Sequence, residues 1–277
     1  MNFIDTKKVR LEEIKSLKKN LEQINRKLGI AIIQIGNDSA SNIYIKNQEK
    51  LAQELDYEFK LFKFDCNINN EEVIKIIDAL NNDKSIDGIL LQLPIPKNLN
   101  IEMIQNRISP AKDVDGLTCT NIGKLNQNSE CLIPSTASAI MSIFKYYNIK
   151  LEGAHIVILG RSNIIGRPLF NLLINNDATV TLCHSKTRNL KQITNNADII
   201  VTATGKINLI KKDMVKDNAI IIDCGINVIN GKIQGDVDID DIKDKKCYIT
   251  KVPNGVGAIT VVEVFKNVYK AYKFKNK

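Results

Sequence analysis

Tryptophan is absent from this 277-residue chain, histidine occurs twice and proline six times. The six cysteines (Cys66, Cys119, Cys131, Cys183, Cys224 and Cys247) are scattered without a CxxC pair. That leaves a zinc site of ordinary Cys/His spacing without a basis, and no metal is expected. Cys183 and Cys224 stand in apolar runs and read as small buried hydrophobes. No apolar run approaches the ~18 residues of a membrane span, so no membrane partner is expected. The opening residues, MNFIDTKKVRLEEIKSLKKN, lack the apolar stretch of a secretory signal, which makes the cytoplasm the expected location. Internal repeats and low-complexity tracts are missing too.

The composition, 44% hydrophobic and 25% charged, is that of a soluble globular protein long enough for two domains. Its net charge of +8 comes from evenly spread lysines with no basic tail. Nucleic acid is therefore not an expected partner, whereas anionic small ligands are well served.

The first half alternates in the manner of βαβ units. Residues 5–27 are amphipathic and lysine-rich and predict a helix. The apolar run between Gly29 and Gly36 predicts a buried strand, followed by a helix over 39–55 and a strand over 59–64. A helix over 70–81, capped by Asn69 or Asn70, leads to a buried strand over 88–93 that Pro94 and Pro96 end. Residues 98–117 read as helix then loop, and 135–147 as a helix. A second series has strands over 155–160, 179–184, 198–203, 219–223 and 246–250, with helices over 166–175 and 190–196 among them. The loop KVPNGVGAIT leads into a C-terminal helix to about residue 274. Apolar strands alternating with helices argue for mainly parallel sheets with both faces covered, in two α/β lobes with a cleft between them.

The helix over 39–55 is the unusual stretch. Its apolar stripe at 100° per residue is Ala40, Ile43, Tyr44, Leu51, Ala52 and Leu55, with Asn47 and Gln48 as a polar gap inside it. Buried amides need partners, so either a neighbour supplies them or the gap faces a cleft. A helix end tilting into solvent would give the same pattern.

Gly160-Arg161-Ser162-Asn163-Ile164-Ile165-Gly166 sits where a dinucleotide-binding turn belongs, with a strand before it and a helix after. The spacing is not GxGxxG, and an ordinary βα turn shares the context. In NAD sites the next strand ends in a carboxylate for the ribose 2′-hydroxyl. Here it ends His184-Ser185-Lys186-Thr187, which together with Arg161 fits a 2′-phosphate and favours NADP. Gln92 stands at the carboxyl end of its strand, where ligands bind in open α/β sheets. Asp113 and Asp115 of KDVDG could both be turn formers.

Taken in order, these motifs resemble the bifunctional 5,10-methylenetetrahydrofolate dehydrogenase/5,10-methenyltetrahydrofolate cyclohydrolase family, nearly end to end. The resemblance runs through SxxYxxxx, DGILLQLPIP, KDVDG with NIGKL, GRSNIIGRP, CHSKT, ADIIVTATGK, IIDCGIN, GDVD and PNGVGAIT. It implies an α/β protein of two lobes. Residues 1–134 form a βαβ folate-binding catalytic lobe, to which a helix over 258–277 returns, and 135–257 form a Rossmann-like NADP lobe. By the same resemblance Tyr44 packs on the folate, Gln92 lies beside the reacting carbon and Asp115 anchors the pterin. Tyr44, Gln92, Leu93, Pro94, Asp115, Gly255 and Val256 would bind substrate. Gly160, Arg161, Ser162, Ile165, Gly166, His184, Ser185, Thr204, Gly205 and Ile226 would bind the cofactor. Tetrahydrofolate one-carbon derivatives are the implied substrates, and members are commonly homodimers.

The departures matter as much. The family's catalytic lysine, four residues after the tyrosine, is Gln48 here, and Lys46 and Lys50 point to other faces of the helix. PCTPxG reads Pro134-Ser135-Thr136-Ala137-Ser138-Ala139, and the loop before the last helix begins at Lys251. Hydride transfer needs geometry more than a titrating side chain, whereas hydrolysis calls for a group that moves protons near working pH. A neutral glutamine cannot do that. The expectation is thus an NADP-dependent dehydrogenase with Tyr44, Gln48, Gln92 and Asp115 as its catalytic set and with weak or lost cyclohydrolase. Lys251 is a distant candidate for the missing ammonium. The alternatives are a fully bifunctional enzyme and a binding protein whose catalysis has decayed.

Overall fold

The glycine-flanked apolar runs become the strands of two parallel sheets. The computed structural model describes residues 1–229 and 231–276. β1 (Asn2–Ile4) and α1 (Thr6–Leu21) open the chain. β2 (Gly29–Ile35), α2 (Ser39–Glu54), β3 (Glu58–Phe64), α3 (Asn70–Asn82) and β4 (Gly88–Gln92) follow in alternation. Next come α4 (Ile101–Arg107), α5 (Cys119–Asn126) and α6 (Ser135–Tyr146). The second series runs β5 (His155–Leu159), α7 (Gly166–Ile174), β6 (Thr179–Cys183), α8 (Leu190–Asn195), β7 (Ile199–Thr202) and β8 (Ile220–Asp223). β9 (Asn227–Ile229), β10 (Lys232–Gln234), α9 (Ile239–Ile242), β11 (Tyr248–Thr250) and α10 (Val256–Lys275) complete it. No helix among the described residues is long and apolar enough to cross a membrane.

The chain divides into two compact units, Ile14–Ser135 with Val261–Lys277, and Met1–Glu13 with Thr136–Thr260. The first holds the parallel sheet β3-β2-β4. Strand side chains alternate between faces, and both faces are covered. Ile30, Ile32 and Leu90 pack under Ile45, Leu51 and Ala52 of α2 and Val264, Phe265 and Val268 of α10. Ala31, Ile33, Ile89 and Leu91 pack under Val73, Ile77 and Leu80 of α3. The α3 start is a capping box, in which Asn69 Oδ1 accepts from the Glu72 amide and Glu72 Oε2 accepts from the Asn69 amide, each at 3.0 Å. α10 is tied into this unit by polar bonds as well. Tyr57 Oη donates to the Phe265 carbonyl at 3.0 Å, and Asn267 Nδ2 donates to the carbonyls of Val114 (2.8 Å) and Ile133 (2.7 Å).

The second unit holds a parallel six-stranded sheet, β1-β11-β8-β7-β5-β6. β5 is laid down first in its series, β6 pairs on one side and β7 on the other. The chain therefore reverses its winding at the carboxyl end of β5, the position where open α/β sheets bind ligands. β9 and β10 form a separate antiparallel hairpin.

The architecture expected from sequence, two α/β units with parallel sheets and a C-terminal helix packed in the first, is the one found. Some elements differ. α1 stops at Leu21, and α10 starts at Val256, within the stretch expected to be loop. β1, α5, β9 and β10 were not anticipated; they are short and largely polar or exposed, with no period to detect.

Candidate active site

In the first unit the site residues gather at the carboxyl ends of β2 and β4. Gln34 and Gln92 are register partners there. Ile32 and Leu90, two residues earlier, face α2, so by alternation both glutamines face α2 too. Gln34 is buried and donates through Nε2 to Asn42 Oδ1 at 2.7 Å. Gln92 Nε2 donates to the Leu93 carbonyl at 2.9 Å, and Ser41 Oγ donates to the same carbonyl at 3.0 Å. Those bonds fix the strand exit at Leu93 and Pro94, whose peptide bond is cis.

α2 meets this end with a different stripe from the expected one. Asp38 caps it, accepting from the Ser41 amide at 2.8 Å. Ser41, Ile45, Gln48, Leu51, Ala52 and Leu55 are buried, while Ala40, Ile43 and Asn47 face solvent. The buried set keeps a strict i, i+3/i+4 spacing, and Ile43 lies off it. Tyr44 packs half-buried against the same core. Gln48 is fully buried, and among the described residues neither its Nε2 nor its Oε1 has a hydrogen-bond partner, nor does Gln92 Oε1. Leaving such groups unpaired costs about 1–3 kcal/mol each. Native proteins tolerate that mainly where a ligand or ordered water completes the bonding.

The KDVDG loop is bolted down on every side but one. Lys112 Nζ donates to the carbonyls of Leu80 (2.9 Å) and Asp83 (2.7 Å) at the end of α3, and burial lowers its pKa. Ile89 and Val114 exchange backbone bonds with the loop and β4. Asp113 is buried and accepts from the Thr118 amide (2.8 Å) and Asn121 Nδ2 (2.9 Å), so this carboxylate is a turn former. Asp115 is the exception. It accepts from Ser135 Oγ at 2.6 Å, and burial pushes its carboxyl up to about 7 against the pull of Ser135. Burial also raises the Tyr44 phenol, with the Asp115 charge as the second cause.

In the second unit β5 ends at Gly160, whose φ of +114° suits glycine. A Cβ there would stand 2.5 Å from the Ala203 carbonyl oxygen, and one on Gly166 would stand 1.9 Å from that of Gly160. The turn is therefore closed as tightly as backbone allows, and α7 begins at Ile165–Gly166 with no side-chain cap. Within its first turn the Arg167 amide donates to the Ser162 carbonyl at 3.1 Å and Pro168 has no N–H, so the Gly166 amide is the one left toward an anion among the described residues. Arg161 and Ser162 are exposed beside it, and Ser162 Oγ accepts from the Ile165 amide at 3.2 Å. At the end of β6 the His184 amide donates to Thr187 Oγ1 at 2.9 Å, His184 Nδ1 accepts from the Lys186 amide at 3.2 Å, and Ser185 is exposed. No carboxylate stands there.

Sequence reasoning gave no role to Asp236 of GDVD, yet it organises the neighbouring loop. Fully buried, its Oδ2 accepts from Thr202 Oγ1 (2.7 Å), the Thr204 amide (2.7 Å) and Thr204 Oγ1 (2.8 Å), and its Oδ1 from the Lys206 amide (3.0 Å). This fixes Thr204 and Gly205 at the carboxyl end of β7. Asp223 in turn accepts from the amides of Gly225, Asp236 and Val237 and so sets the backbone before Ile226, which is 69% exposed. Gly255 and Val256 also belong to this unit, where Thr6 Oγ1 donates to the Asn254 carbonyl at 2.9 Å. The Lys251 ammonium lies over the Phe3 ring, 5.0 Å from its centroid. Among the described residues no group of three His, Cys, Asp or Glu side chains could hold a metal ion.

Residues 4–115 match the catalytic-domain model of tetrahydrofolate dehydrogenase/cyclohydrolase, and residues 134–276 match the NAD(P)-binding-domain model of the same family. The bifunctional protein FolD of Clostridium novyi is 44% identical over 98% of this chain and 99% of its own length. The crystal structure of the bifunctional enzyme FolD, methylenetetrahydrofolate dehydrogenase/cyclohydrolase, from Campylobacter jejuni superposes with a TM-score of 0.95 at 38% identity, covering 99% of both chains. That of the Trypanosoma brucei dehydrogenase-cyclohydrolase, complexed with NADP cofactor and inhibitor, gives 0.90 at 29% identity over 98% of this chain and 96% of its own.

Proposed function

The chain belongs to the tetrahydrofolate dehydrogenase/cyclohydrolase family, and on that premise we propose that it oxidises 5,10-methylenetetrahydrofolate to 5,10-methenyltetrahydrofolate with NADP. The observation that carries this is the set at the ends of β2 and β4: Gln48 Nε2 and Oε1 and Gln92 Oε1, buried with no hydrogen-bond partner among the described residues, in the same unit as Tyr44 and Asp115. Tyr44 would stack on the pterin, Asp115 would accept its N–H donors and Gln92 would orient the carbon that gives up hydride. Leu93, Pro94, Gly255 and Val256 complete the proposed substrate contacts.

The residues present fit the cofactor. The close Gly160–Gly166 turn lets phosphate approach the uncapped start of α7, and Arg161 and Ser185 suit a 2′-phosphate where a carboxylate would repel it. Ser162, Ile165, His184, Thr204, Gly205 and Ile226 fill out that site. NADP, when bound, supplies the hydride acceptor; the chain's part is to hold the donor carbon in line and keep water away.

For the second activity, the bifunctional relatives favour an enzyme that also hydrolyses the methenyl product, better than they favour one that has lost hydrolysis. Gln48 supports the second reading, slow hydrolysis, because its amide has no proton to exchange near neutral pH. Incubating the protein with 5,10-methenyltetrahydrofolate separates the two. Loss of absorbance faster than in buffer establishes the bifunctional enzyme, and loss at the buffer rate establishes the split one. NADPH formation from the methylene substrate tests the shared part, and tight binding of both ligands without it would mean catalysis has decayed.

A cytoplasmic location and a homodimer belong to the same proposal. The hairpin supports the latter: Val228 and Ile233 are cross-strand neighbours, 68% and 40% exposed, an apolar pair of the kind that subunit contacts cover. Light scattering on the purified protein should give twice the chain mass, and a monomer mass would overturn that part.

A further inference from the structure

We propose that Ser135 is a positioning residue of the dehydrogenase, whose hydroxyl holds Asp115 oriented and anionic for the pterin's N–H donors. The inference rests on the function proposed above. Ser135 opens α6 and is 4% exposed, and its one O–H proton goes to Asp115 Oδ1 at 2.6 Å. An O–H donated to an ionised carboxylate at that distance is charge-assisted, so the bond strengthens when the carboxyl ionises and favours the anion. With Oδ1 held by the serine hydroxyl, Oδ2 is the oxygen offered to a ligand.

The neighbours make the serine necessary. The titratable groups that act on Asp115 or are acted on by it are Asp113 of its own loop, which opposes ionisation, and Tyr44 of α2. Gln48, one turn beyond Tyr44, is neutral. Against burial and the Asp113 charge, the Ser135 hydroxyl and backbone amide are what favour the anion. The loop itself needs no such help, because Asp113, Lys112 and Asn267 already fasten it. The position is also one where this chain departs from its family's PCTPxG motif: a thiol there would be a weaker donor than the hydroxyl.

The test is the pH dependence of KM for 5,10-methylenetetrahydrofolate in the wild type, Ser135→Ala and Ser135→Cys, with NADP saturating. A charge-assisted bond is worth about tenfold in an ionisation, so Ser135→Ala should raise KM about five- to tenfold near pH 6.5 and less than about twofold near pH 8.5. Its kcat should stay within about twofold, since the hydroxyl does not touch the reacting carbon. Ser135→Cys should shift KM in the same direction by less, and it serves alone if the alanine variant does not fold. A KM raised equally at both pH values, or unchanged at both, overturns the inference. A wild type that makes no NADPH overturns the proposed function instead.

Discussion

Gln48 stands where the family resemblance places a lysine. Its burial was half legible, since it stands in the stripe of α2, yet its lack of any partner was not. That depends on what α10 and the strand ends fail to offer, and a helical wheel contains neither. Gln48→Lys should accelerate methenyltetrahydrofolate hydrolysis by about 10²-fold, the lower end of general acid–base help. An unchanged rate would show that another group or solvent already moves the proton.

Asp115 carries a stability consequence of fixed sign. Its folded carboxyl is raised to about 7 from an ordinary value near 4. As pH rises between those values the unfolded chain loses its proton first, so this group's contribution to stability falls across that window. Asp115→Asn should therefore be more stable than wild type at about pH 8, by on the order of 1 kcal/mol after allowance for solvent access. Near pH 4 the two should be alike, and the variant should lose folate turnover at both. Urea unfolding at the two pH values checks it; a variant less stable at the higher pH contradicts the assignment. The resemblance pointed to Asp115, but the residue pattern of KDVDG alone did not separate it from Asp113, which finds its partners in Thr118 and Asn121 only once α5 has formed.

Among the elements, the strands were the most legible. Glycine-flanked apolar runs can be little else than buried parallel strands, and the strand ends then placed Gln92, Gly160 and Ser185 correctly on the carboxyl side. The β5–α7 turn was legible as a context rather than a pattern, its spacing departing from the usual glycine fingerprint. Its geometry now explains Gly166, since the Gly160 carbonyl lies 1.9 Å from where a methyl would go. Gly166→Ala should force the turn open and cost about 1.4 kcal/mol, tenfold, in NADP affinity. KM for the folate should stay nearly unchanged; equal rises in both constants would mean that the whole unit is disturbed. The hairpin β9–β10, the edge strand β1 and the Asp223–Asp236 network escaped notice for a common reason. β1 and the Asp223–Asp236 network owe their structure to partners farther along the chain, the hairpin is two three-residue strands, and none has an apolar period of its own.

At the scale of the whole molecule the chain is two α/β units with separate duties, and the proposed chemistry needs both. One supplies Tyr44, Gln92 and Asp115, and the other supplies a phosphate turn with no carboxylate at the end of β6. The most direct measurement is the appearance of reduced nucleotide when the purified protein meets 5,10-methylenetetrahydrofolate with NADP, with NAD run in parallel at the same concentration. The expected result is NADPH formation that depends on the folate and is faster than NADH formation. Folate-dependent NADH formation outpacing NADPH would contradict the cofactor assignment, and no reduced nucleotide from either would contradict the dehydrogenase.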